Sequence, residues 1–244
     1  MITALKTALR NRRDRRHAAL AEWRAGWSAD LDAPGARKAA RYDMNILDHG
    51  IIRKLWTNRF EIAPGVWRSN QPSPEQIADL AQMGIRTILN FRGVSHWGSY
   101  LLETEACAAS GITLVNGRLY SSAAPTKQDI HTALMLMDAA EKPMLMHCKS
   151  GADRAGLASV LYLLARGTEP EIAARQLSWK YAHLRVSRTG ILDAFVDAYA
   201  EDRQKTGISF LDWVDTVYDP EALTARFTEA RGGNRMLDWI LRRE

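Results

Sequence analysis

Pro143-Met144-Leu145-Met146-His147-Cys148-Lys149-Ser150-Gly151-Ala152-Asp153-Arg154-Ala155-Gly156-Leu157-Ala158-Ser159-Val160-Leu161 is the stretch that decides the fold. A short apolar run ends on His147-Cys148, a glycine-bearing loop follows, and a longer apolar run begins after Arg154. Length and punctuation predict a strand, a tight loop and a helix. A cysteine at the carboxyl end of a parallel strand, just before a helix, sits where α/β folds bind ligands. The helix N-terminus offers unpaired N–H groups and a partial positive charge, and both favour an oxyanion. The same field favours a thiolate over a thiol, so Cys148 is expected to be an anionic nucleophile. Five residues separate Cys148 from Arg154. A loop of that length can wrap backbone N–H groups around a tetrahedral dianion. Arginine closes the cradle with a planar, two-pronged donor that can follow the equatorial oxygens as charge redistributes. Lys149, Ser150, Gly151, Ala152, Asp153 and Arg154 are therefore the expected substrate cradle. Gly151 and Gly156 allow close backbone approach. A lone buried cysteine is ordinarily structural, but here strand, spacing, glycine, arginine and helix agree.

Working outward, strands and helices alternate. Strands are expected at Ile85–Phe91, Ile112–Val115 and Pro143–His147, with helices at Tyr100–Ser110, Thr126–Ala140 and Ala155–Ala165. Phe60-Glu61-Ile62 and Val66-Trp67-Arg68 flank Ala63-Pro64-Gly65 and read as a hairpin. Ser73 and Pro74 read as the N-cap and first position of a helix ending near Gly84. This pattern predicts an α/β fold with a central, mostly parallel sheet flanked by helices. Three parts are expected: a basic helical extension and linker over 1–55, the α/β core over 56–167, and a helical part over 168–244 packed on that core. Within the last, Pro170 fits a first helical turn. Further helices are expected from Gly190 to Tyr199, Phe210–Val217, Pro220–Arg231 and Met236–Arg242. Asp30 to Gly50 reads as a connector.

The chain has 244 residues, 46% apolar and 25% charged, which suits one domain with a filled core. Its two cysteines, Cys107 and Cys148, form neither a disulfide framework nor a zinc ligand set. A reducing, cytoplasmic setting fits best. No apolar run approaches the roughly 18 residues that span a bilayer, and the basic N-terminus lacks a secretion signal's apolar stretch. The net charge of +5 suits anionic partners. Residues 2–27 read as a helix, with Ile2, Leu5 and Leu9 on one face, arginines from Arg10 to Arg16, and Trp23 and Trp27 at i, i+4 spacing. One reading is a solvated helix packed on the domain by its tryptophans. The other is a basic amphipathic helix in peripheral contact with an anionic membrane on the inner face. A nucleic-acid role is not expected, because the arginine run lacks interleaved stacking aromatics.

His147, Cys148, Gly151 and Arg154 match the His-Cys, five residues, Arg signature, and the chain resembles the protein tyrosine and dual-specificity phosphatase superfamily. A looser resemblance to its small bacterial and fungal members runs from about Val66 to Leu164. It includes Trp67-Arg68-Ser69-Asn70-Gln71-Pro72 and Gly84-Ile85-Arg86-Thr87-Ile88-Leu89-Asn90-Phe91-Arg92. The resemblance implies attack by Cys148 on phosphorus, a cysteinyl-phosphate, and its hydrolysis by water, with one residue acting as acid and then as base. It implies no metal or other cofactor. The implied substrate is a phosphoprotein, or a phosphoinositide or other phospholipid head group; soluble sugar and inositol phosphates also fit.

Two positions depart from the family's pattern. Ala155 stands where most members carry Ser or Thr, whose hydroxyl helps the thiolate depart in the second step. Ser150 is a candidate substitute. The loop 117–125, where an aspartate usually supplies the acid, has no carboxylate. Asp153, inside the phosphate loop as in myotubularin-like phosphatases, is the first candidate acid and Asp129 the second. Lys149 is a candidate contact for a second phosphate, and Arg92 or Arg118 for extending the anion site. His147 is expected to be buried and to orient the loop, Cys107 to be a core residue, and Tyr181, His183 and Arg185 to border the pocket. Two other functions stay open: a phosphate-binding module without turnover, favoured by Ala155, and a rhodanese-like sulfurtransferase, disfavoured by the loop length.

Overall fold

The computed structural model describes residues 2–231. The expected helix Met236–Arg242 lies outside the described residues. A five-stranded sheet forms the centre, in the order β1 (Phe60–Ala63), β2 (Val66–Asn70), β5 (Met144–Cys148), β3 (Thr87–Asn90), β4 (Thr113–Asn116). Only the edge hairpin β1/β2 is antiparallel; all other pairs are parallel. The middle strand β5 is buried at every position, which is why it reads as a continuous apolar run. Its alternate side chains enter different layers. Met144 and Met146 join the larger apolar cluster, and Leu145 joins a smaller one with Ile77, Ile88 and Cys107.

Helices α4 (Pro74–Gln82) and α5 (Gly98–Ala109) supply the smaller layer. A capping box of Ser73 and Gln76 starts α4, as the Ser-Pro signal predicts. On the other side lie α6 (Lys127–Ala139), α7 (Arg154–Leu164), α8 (Pro170–Ala173) and α9 (Ile191–Thr206). Short 3-10 turns link α8 to α9. From α9 and α10 (Phe210–Thr216), Phe195, Tyr199, Phe210 and Trp213 pack into the same cluster as β5 and α7. The last described helix is α11 (Pro220–Arg231). Helix α7 is apolar nearly all round, and Ala155 to Tyr162 are buried, so the sheet and the C-terminal helices enclose it. This rigid seat presents its N-terminus to the carboxyl end of β5.

Helix α1 (Ile2–Ser28) is anchored by its C-terminal end. Trp27 is buried against Ala36, Ala40, Met44 and Leu102. Arg24 is paired with buried Asp43 at 2.7 Å and stacks over Trp97, whereas Trp23 and the arginines from Arg12 to Arg16 are exposed. The expected connector over 30–50 is mostly helical: α2 (Ala36–Tyr42), a π-helical turn over Asp43–Leu47, and the start of α3 (Gly50–Leu55). Its polar residues misled the sequence reading because two of them, Asp43 and Asp48, are buried partners of distant arginines. No described helix is long and apolar enough to cross a membrane.

Candidate active site

Cys148 ends β5 and Arg154 opens α7, and both line one cavity of about 610 Å³. Lys149, Ser150 and Asp153 line it too. Gly151 turns the loop at a φ of +75°, and a Cβ there would lie 2.7 Å from the Asn70 nitrogen. That position therefore requires glycine, on dihedral and on space. The cysteine itself is 2% exposed.

The loop is held from behind by a residue of the neighbouring strand. Arg68 on β2 is wholly buried, and its Nη2 donates to the Gly151 and Ala152 carbonyls while Nη1 donates to the Gln176 carbonyl at 2.6 Å. Its guanidinium lies 3.9 Å over the Tyr181 ring. Burial pushes Arg68 down to about 10, so it stays cationic at neutral pH. With carbonyls tied outward to Arg68, the loop keeps its carbonyl dipoles off the anion and adds a positive charge behind the thiol. Asn58 Nδ2 also donates to the Ser150 carbonyl at 3.1 Å.

Residues 54–187, more than half of the chain, match the family described as a DSP-PTPase phosphatase fused to NAD+ kinase. The chain belongs to that family. Among solved structures it is similar to P. aeruginosa TpbA, at 18% identity over 70% of this chain and 91% of that one, with a TM-score of 0.49. A putative phosphatase of Shewanella putrefaciens CN-32 shares 19% identity over 62% of this chain and 95% of its own, with a TM-score of 0.49. The core catalytic domain of the PP-IP phosphatase SIW14 from S. cerevisiae shares 18% identity over 62% and 93%, with a TM-score of 0.44. No curated protein matches the chain.

In this member of the dual-specificity-phosphatase-like family Lys149, Ser150, Asp153 and Arg154 of the expected cradle line the cavity with Cys148, while Gly151 and Ala152 are buried outside its lining, and the two candidate acids separate. Asp153 lines the cavity. Asp129 lies outside the lining and caps α6, its Oδ2 accepting from the Thr126 nitrogen and hydroxyl. Asp153 Oδ1 stands 2.7 Å from His183 Nδ1, and His183 Nε2 stands 2.7 Å from Asp193 Oδ2. Burial works against charge on His183, but its hydrogen bonds to Asp153 and Asp193 outweigh that and raise it to about 9. His183, 2% exposed, thus sits as an imidazolium between Asp153 and Asp193. Sequence reading placed His183 in a polar cluster at the pocket border without seeing these partners, and Asp193 gave no signal.

The other candidates divide. His147 is fully buried, its Nε2 2.8 Å from the buried Glu103 carboxylate. Glu103 also accepts from Gln71 Nε2 at 2.6 Å. Lys149 Nζ lies 3.6 Å from Asp48 Oδ1. Asp48, absent from the sequence-derived candidates, lines the cavity and pairs with Arg53 at 2.8 Å and Arg92 at 2.6 Å. Burial opposes its charge, but Arg92, Arg53 and Lys149 hold its carboxyl well below the usual range. Arg92 and Arg118 pair as a β-bridge outside the cavity lining. Ser150 Oγ accepts from the Ala152 N–H at 3.4 Å. Cys107 is buried in α5, and burial pushes its thiol up to about 12. Tyr181 supports Arg68, and Arg185 pairs with Asp197.

The buried histidine ties stability to pH. Because His183 is raised from 6.5 to about 9 by folding, its contribution is fully present below pH 6.5 and is lost as pH rises through 9. Urea denaturation of the wild type is expected to show a fall of up to about 3 kcal/mol across that window, and His183→Gln is expected to lack it. An unchanged wild-type midpoint between pH 6.5 and 9.5 would refute the assignment.

Proposed function

We propose that this chain is a phosphatase that hydrolyses phosphate monoesters through a phosphocysteine on Cys148. The observation that carries this reading is the shared cavity of Cys148 and Arg154, joined by a loop whose carbonyls are tied outward to a buried arginine. In the first step the Cys148 sulfur attacks phosphorus and the P–O bond to the alcohol breaks. Asp153 passes a proton from the His183 imidazolium to the departing oxygen, which leaves a neutral imidazole beside its carboxylate. In the second step Asp153 takes a proton from water and returns it to His183, the water oxygen bonds to phosphorus, the S–P bond breaks, and inorganic phosphate leaves. Ala155 favours the other reading, a module that keeps its phosphate, because no hydroxyl follows Arg154 to assist the thiolate's departure.

The experiment is a phosphate-release panel with wild type and Asp153→Asn. It spans phosphopeptides, phosphoinositides, phosphatidylglycerophosphate, inositol phosphates and NADP, the last because the family is described with a fused NAD+ kinase. Alkyl phosphates, with poor leaving groups, are expected to lose roughly 10²- to 10⁴-fold in kcat/KM on Asp153→Asn. For p-nitrophenyl phosphate, whose leaving phenolate needs little protonation, the loss is expected to stay below about tenfold. Equal losses on both would remove Asp153 as the acid. A wild type that becomes phosphorylated on Cys148 and releases nothing would support the holding module instead.

A further inference from the structure

The cavity is much larger than a phosphate group requires. About 610 Å³ lies within the range of pockets that enclose drug-sized molecules, roughly 300–1,000 Å³. Its polar end is the phosphate loop; elsewhere its lining includes Ile52, Trp56 and Leu184. Ile52 is 63% exposed and Trp56 44% exposed, although both are large apolar side chains. Exposed apolar groups clustered beside a polar site mark a place where something binds.

These side chains are held in position by a buried polar frame. Arg53, between them, is buried and paired with Asp48. Asn70 Nδ2 donates to the Arg53 carbonyl at 2.9 Å and to the Trp56 carbonyl at 2.6 Å. The same Asn70 ends the strand beside β5, in register with Cys148. The frame thus fixes the distance between the apolar wall and the nucleophile, and most of α3 lies before residue 54, where the family match begins.

We propose that this wall is a second subsite, which takes the apolar body of the alcohol in a substrate carrying a single phosphate. The proposal rests on the phosphatase reading above. Two of the cations on the cavity, Lys149 and Arg53, are committed to a buried partner, with Arg154 at the phosphate loop and the exposed Arg188 also on the lining. Lys149 and Arg53 both face the buried Asp48 carboxylate, at 3.6 and 2.8 Å. Drawing either onto a second phosphate would break an ion pair with a buried partner. The wall of Ile52, Trp56 and Leu184 fits an apolar alcohol, either aromatic or an alkyl chain, better than a polyphosphorylated ring.

Non-hydrolysable phosphonates test this as competitors of p-nitrophenyl phosphate hydrolysis. In wild type, Ki is expected to fall at least about tenfold from methyl- to butylphosphonate, since a buried methylene is worth up to about fourfold. Ile52→Ser and Trp56→Ala are expected to flatten that series, read as the ratio of the butylphosphonate Ki to the inorganic phosphate Ki. Phenylphosphonate binding tighter than hexylphosphonate would mark an aromatic alcohol, and the reverse an alkyl chain; both support the subsite. A flat wild-type series alongside normal competition by inorganic phosphate would overturn the subsite and leave the phosphatase standing. Tighter inhibition by inositol hexakisphosphate than by octylphosphonate would overturn the single-phosphate claim. Absence of any p-nitrophenyl phosphate hydrolysis by wild type would overturn the phosphatase reading, and the subsite with it.

Discussion

Replacing Cys148 with serine is expected to lower phosphate release by roughly 10⁴-fold or more, the scale of losing a catalytic nucleophile, while oxyanion binding persists. The two halves of this prediction have different physical origins. Attack on phosphorus needs an ionised nucleophile, and a serine hydroxyl at the end of β5 stays protonated at neutral pH. The neighbouring imidazole is not aimed at it, because His147 Nε2 lies 2.8 Å from Glu103. Binding depends instead on the loop's amides and Arg154, none of which the substitution touches. Their geometry is held by Arg68, whose bonds to the Gly151 and Ala152 carbonyls do not involve the sulfur. Phosphate binding to Cys148→Ser, followed by calorimetry beside a p-nitrophenyl phosphate assay, separates the two. Retained turnover would exclude Cys148 as the nucleophile. Loss of both turnover and binding in a folded variant would mean that the sulfur also shapes the cradle.

Arg154→Lys is expected to cost about 10²- to 10³-fold in kcat/KM, the range for losing a preorganised donor to developing charge. Lysine keeps the charge but not the planar fork, so it cannot grip two oxygens at once. The loss is expected mainly in kcat, because the equatorial oxygens spread as the bond to the leaving group opens and the fork follows them. Arg154 is the first residue of α7, a helix buried almost throughout its length. Its Cα is fixed, and a shorter reach is not recovered by backbone movement. A lysine variant within about threefold of wild type would show that charge alone suffices there.

Much of the centre of this molecule was legible because its signals are local. The apolar run of β5, the glycine at 151 and the apolar run of α7 are contiguous, and each follows from backbone geometry and side-chain period. The α/β alternation was legible for the same reason, with strand limits displaced by a residue or two. The candidate phosphate loop was read almost whole because the groups expected to hold the anion are its own N–H groups and one arginine six positions from the cysteine.

What surrounds the loop was not legible. Arg68 gave one signal, a charged residue between Val66 and Ser69 in a strand that is otherwise buried. A charge at such a position demands partners, but its partners lie 83 and 108 residues away. Asp48 looked like a polar residue in a connector because the arginines that keep it charged come from α3 and from the segment after β3.

The amino-acid sequence by itself pointed to the candidate nucleophile, the candidate cradle, the order of strands and helices along the chain, and two candidate acids. Tertiary structure separated those two by placing Asp153 in the cavity beside His183 and Asp129 in a helix cap. It also brought α3 to the cavity mouth. Periodicity and capping act between near neighbours, whereas a buried charge is stabilised by whatever packing brings to it, and that depends on the whole chain.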